Sequence, residues 1–164
     1  MPLHGLPAAL QGRGSGLMGV VGLVQSTTRV TNQDGVETTL LTYTLPASTM
    51  SRDGDSIFFE FYGDFSGAAD TNLFIRLGGQ PIFDSGAIDP AATVFSVTGR
   101  LIRKGAVLQA YFSSLVSNGI SVNLGGEMTV DLTVDNDLVV SGLATGAASI
   151  ALAGTYLTLY IVAP

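Results

Sequence analysis

Past residue 24, apolar residues recur at every second position, and no stretch repeats them at the 3.6-residue spacing of a buried helix face. Residues 127–135 give the clearest case. Met128, Val130, Leu132 and Val134 alternate with Thr129, Asp131, Thr133 and Asp135, which predicts a strand with one face in a core and one in water. Leu41, Tyr43 and Leu45 alternate with Leu40, Thr42 and Thr44 until Pro46 ends the run. Leu73, Ile75 and Leu77 alternate with Phe74 and Arg76 before a Gly78-Gly79 turn. Further strands are predicted at 81–83, 93–103, 106–113, 137–145 and 155–162, with Lys104-Gly105 joining two of them as a hairpin. Turn residues cluster at 32–35, 53–55, 84–86, 118–119 and 125–126. Eight to ten short strands without a helix predict an all-β chain, an antiparallel β-sandwich or jelly roll.

Two segments break clean alternation. Ile57, Phe58, Phe59, Phe61 and Tyr62 are bulky on both sides of a strand interrupted only by Glu60. Leu157, Leu159 and Ile161 share the last strand with Tyr156, Tyr160 and Val162. Either both faces are covered by the chain itself, or one face lies in a subunit interface. The second reading makes Phe58, Tyr62, Tyr156 and Tyr160 interface candidates.

Residues 1–24 differ from the rest. They hold Gly5, Gly12, Gly14, Gly16, Gly19 and Gly22, two prolines and one charged residue, Arg13. So much backbone entropy and so few anchors do not build a core. Leu3, Leu6, Leu10, Leu17, Met18, Val20 and Val21 nevertheless give the segment apolar surface to bury. It is expected to be an N-terminal docking arm laid against another protein, with 25–164 forming the sandwich domain. Deleting 1–24 is expected to leave a folded sandwich that no longer attaches to its partner.

Composition points the same way. Charged residues make up 12% of the 164, about half the usual ~25%, and mean hydropathy is +0.44. Such a surface is commonly covered by copies of the same chain or by a larger scaffold. A net charge of −6 with scattered basic residues argues against nucleic-acid binding. No run is apolar enough to span a bilayer, and the N-terminus lacks the pattern of a signal peptide, which favours assembly in the cytoplasm.

The chemistry-bearing patterns are sparse. Gly14, Gly16 and Gly19 spell G-x-G-x-x-G, but β-prone Val20 to Val24 follow where a dinucleotide site needs a helix, so no cofactor is expected. There is no cysteine and one histidine, His4 in the arm, which excludes Cys–His chemistry. Asp64, Asp70, Asp84 and Asp89 fall where turns favour aspartate. Asp131, Asp135, Asn136 and Asp137, like Asp53 and Asp55, lack the spacing of a calcium loop, so no metal is expected. A carboxylate-pair hydrolase would be a third function class, but no catalytic residue can be nominated and the chain is not expected to be an enzyme.

The run from Leu41 through Leu45-Pro46-Ala47 and Asp53-Gly54-Asp55 to Ile57 resembles a segment of β-sandwich structural proteins in tailed-phage particles. Residues 73–86, with their Leu-Gly-Gly bend and Ile82-Phe83-Asp84-Ser85-Gly86, are similar to the next segment of those proteins, and the strand at 155–162 also fits their pattern. The likeness spans roughly residues 36–162 and is carried by turn-and-strand patterns. It implies a virion β-sandwich of the capsid decoration (cement) or fibre type, commonly trimeric. The leading expectation is a homotrimeric cement protein on the capsid surface that contacts the major capsid protein and bridges its subunits. The alternative is a tail or head-fibre module that recognises the host surface through exposed loop aromatics such as Phe65 or Tyr111.

Overall fold

The computed structural model describes residues 19–26, 30–32, 35–67, 70–88, 93–117, 120–145 and 148–161. Among these there are eleven strands and no helix, hence no helix able to cross a membrane. In chain order they are β1 (Gly19–Ser26), β2 (Val30–Asn32), β3 (Thr38–Leu45), β4 (Ser56–Ser66), β5 (Thr71–Leu77), β6 (Gln80–Asp84), β7 (Thr93–Arg103), β8 (Leu108–Ser117), β9 (Ile120–Thr129), β10 (Asn136–Ala144) and β11 (Ser149–Ile161).

They form two antiparallel sheets. The large sheet runs β1-β11-β4-β7-β8-β9, with β2 also pairing β11, and the small sheet runs β3-β10-β5-β6. Stripped of β2, β8 and β9, the order is four strands per sheet, β1-β11-β4-β7 against β3-β10-β5-β6, the crossing pattern of a jelly roll. The β8–β9 hairpin is an addition that widens the large sheet beyond β7. The chain is therefore an all-β antiparallel sandwich, as expected.

Alternation builds the core between the sheets. On β4, Ile57, Phe59, Phe61 and Phe65 are buried, and β7 adds Phe95, Val97 and Leu101. Leu73, Ile75 and Leu77 of β5 meet them from the small sheet with Ile82, Phe83, Leu138 and Val140. Two glycines make room for rings across the β4–β7 ladder. Gly63 pairs with Phe95 and Gly99 with Phe59; a Cβ at Gly99 would lie 2.1 Å from Phe59 Cζ and 2.6 Å from the Phe112 carbonyl oxygen. Phe95 in turn stacks on Phe65 with centroids 4.5 Å apart.

Several expectations change. Residues 127–135 are not one strand: β9 ends at Thr129, and the rest is a turn in which Asp131 Oδ1 accepts from the Thr133 amide and hydroxyl. Burial still alternates through Met128, Val130 and Leu132, but Val134 is exposed. Gly125-Gly126 is no turn. Both lie within β9, opposite Phe112 and Tyr111. Leu40 is buried rather than facing outward with Thr42, because the ladder slips between Val140 and Ser141 and leaves Leu40 as the extra residue of β3. Finally, the arm boundary at residue 24 cuts through β1, whose Gly19 to Ser26 pair with β11. The β-prone run Val20 to Val24 lies in this strand, and the ladder with β11 defines its extent.

Candidate interaction face

The outer face of the large sheet is assembled from alternate residues of β4, β7, β8 and β9. In register across the strands, Phe58, Arg100 and Phe112 form one row, Glu60, Thr98, Ser114 and Asn123 the next, and Tyr62, Ser96, Val116 and Ser121 the third. The middle row is polar throughout, while the rows on either side mix aromatic and aliphatic side chains with Arg100, Ser96 and Ser121. Phe112 is 54% exposed, Val116 53%, Tyr62 39% and neighbouring Val94 77%. On a chain with so few charges, this is the largest group of exposed apolar side chains that shares one surface among the described residues.

The polar groups on this face are held in place. Arg100 donates from Nε and Nη2 to Ser56 Oγ, at 3.1 and 2.9 Å, which ties its guanidinium to the start of β4. The Tyr62 hydroxyl donates to Glu60. At the end of the face where β11 slips register between Leu152 and Gly154, a depression of about 450 Å3 opens between Tyr62, Asp64, Val94, Ser96, Val116 and Ala153. A shallow, apolar, hydroxyl-rimmed depression suits an anchoring side chain of a partner better than a reaction.

Of the residues predicted for an interface, Phe58 and Tyr62 stand on this face. Tyr156 and Tyr160 lie in β11, in register with Glu60 and Ser56, and Val20 and Val21 lie in β1, opposite Tyr160 and Leu159. Leu3, Leu6, Leu10, Leu17 and Met18 fall outside the described residues. Gly19, the last glycine of the fingerprint, opens a strand. Val94, Phe112 and Val116 were missed; their alternation with buried neighbours was visible, but not which side the second sheet would cover.

The aspartates serve turns and ladders. Asp135 Oδ1 accepts from the Ala47 amide at 2.7 Å, and Asp137 Oδ1 from Thr44 Oγ1 at 2.7 Å. Asp55 is buried and its Oδ2 accepts from the Ser51 and Arg52 amides, both at 2.9 Å. Asp84 Oδ1 accepts from the Gly86 amide at 2.8 Å. Asp89 is outside the described residues, and no group of three metal-ligating side chains occurs among those described.

A second polar cluster stands on the small sheet. Arg76 binds both Glu37 oxygens and Ser141 Oγ, and Ser141 Oγ donates to Glu37 Oε1 at 2.6 Å. These bonds, the Arg76 one foremost, hold the Glu37 carboxyl below its ordinary value. Arg76 also lies 4.9 Å over the Phe74 ring, so every charge of the cluster is engaged.

No family of known proteins matches this sequence, and no curated protein is similar to it. Among solved structures, the chain is similar to the CBM2 module of the evolved Dit of Lactobacillus casei BL23 phage J-1. The TM-score is 0.40 at 8% identity, over 90% of this chain and 99% of that one. It is also similar to infectious bursal disease virus, Gx strain, with a TM-score of 0.29 at 12% identity, over 90% of this chain and 43% of that one.

Proposed function

We propose that the protein is a structural component of a phage particle, a capsid decoration protein that binds the outer surface of the shell and bridges neighbouring capsid subunits. The exposed apolar outer face of the large sheet carries the proposal. Its rows of Phe112, Val116 and Tyr62 surround no catalytic constellation, and they offer a rigid sheet surface for another protein. Covering each half-exposed side chain contributes on the order of 1 kcal/mol. One site is then weak, and a homo-oligomer that engages several shell sites at once is held by avidity. Residues 1–18, which precede β1, serve in this reading as a strap to the major capsid protein or to an adjacent copy in a homo-oligomer.

A tail or fibre module that recognises the host surface is the second reading. The polar row Glu60, Thr98, Ser114 and Asn123, set between aromatic residues, favours it, since this is also the chemistry that meets a sugar's hydroxyls and its apolar ring face. Quantifying the protein in purified particles separates the two. A copy number on the scale of the shell subunits supports decoration. A few copies confined to the tail support the second reading, and absence from particles overturns both.

A further inference from the structure

We propose that a second copy of this chain pairs with the outer edge of β9, continuing the large sheet from one copy into the next. Among the described residues the sheets end in β1 and the three-residue β2, in β3, in β6 and in β9, and all but β9 are blunted. β1 carries an extra residue between Gly22 and Val24. β3 carries one at Leu40. β6 is five residues long, holds Pro81, and slips register between Ile75 and Arg76. Bulges, proline and short length are the devices by which edges avoid pairing.

β9 has none of them. It runs ten residues with ten consecutive partners on β8 and no slip. It contains no proline and no lysine, and its single charge, Glu127, is engaged by Lys104. No strand pairs with its outer side among the described residues. Ten residues make an edge about 33 Å long.

A second copy fits this edge by charge and by shape. Antiparallel pairing about a two-fold axis is isologous, so the strand must complement itself. With the axis through Leu124, Glu127 comes opposite Ser121 rather than the other Glu127, and no like charges meet. The small sheet ends at β6, so Leu124 remains 37% exposed although it shares the inner face with buried Ser113. In the pair the two Leu124 side chains cover each other. This pairing rests on the self-association in the proposed function but is independent of any capsid partner.

The full chain tests it by sedimentation across a concentration series. The expected result is a dimer, weakened at least about tenfold by Asn123→Lys, which sets like charges beside the axis on an exposed position. Because the chain has no cysteine, the single substitution Leu124→Cys, on the axis, provides a second readout. It should form an intermolecular disulfide far more readily than Thr39→Cys on the opposite edge of the small sheet. A monomer at every concentration, a trimer, or a dimer indifferent to Asn123→Lys and cross-linking no better than Thr39→Cys would overturn the pairing. Loss of shell binding with the β9 dimer intact would count against the capsid reading alone.

Discussion

Gly99 shows how closely the sandwich is fitted at single residues. A methyl group there meets the Phe59 ring on one side and the Phe112 carbonyl oxygen on the other. Gly99→Ala should therefore destabilise the fold by about 1–3 kcal/mol through overpacking. Gly105→Ala, with nothing within 4 Å of the added carbon, should be near neutral. Thermal denaturation of the two variants checks the contrast. Titration gives a second residue-scale prediction. The Glu37 pKa is depressed from 4.5 by Arg76 and Ser141, so its stabilising contribution is present above about that pH and is lost as pH falls through the lower folded value. The pair is partly exposed, so the loss is under about 1 kcal/mol. Denaturant unfolding of Glu37→Gln against the parent should show the difference shrinking as pH falls below 4.5. A constant difference would remove Arg76 as the cause.

At the scale of elements, β1 separates strand from arm. Deleting residues 1–18 leaves every described strand intact, whereas deleting 1–24 removes most of β1 and uncovers the β11 edge. The shorter deletion should keep the parental melting temperature, and the longer one should lower it by several degrees; equal melting of the two would show that β1 contributes nothing. The same element shows what the sequence discloses. β7 is legible to its end residues, 93–103, and β5 in its burial as well, where Leu73, Ile75 and Leu77 alternate cleanly up to the Gly78-Gly79 turn. β9 was obscured although Ile120, Val122 and Leu124 alternate, because Gly125-Gly126 reads locally as a turn. Only the facing β8 residues, Phe112 and Tyr111, turn those glycines into ladder positions. The strand expected at 127–135 failed for the converse reason. Its alternation continues into a turn held by Asp131 and Asn136 side chains.

For the whole molecule, fold class followed from periodicity, but the interaction face did not. Phe58 and Tyr62 stood out as bulky residues beside a buried set, while Val94, Phe112 and Val116 look like core residues until the small sheet is seen to cover only the other side. The additional β8–β9 hairpin supplies two of those three, so the element that widens the jelly roll also builds its exposed surface. The central claim is that this face attaches the protein to a particle. Its most direct test is co-sedimentation of purified protein with shells lacking it, comparing the parent with Phe112→Asp/Val116→Asp. The account predicts saturable binding by the parent, and at least about a tenfold loss for the variant, which keeps the parental melting temperature. Equal binding by the folded variant would contradict it.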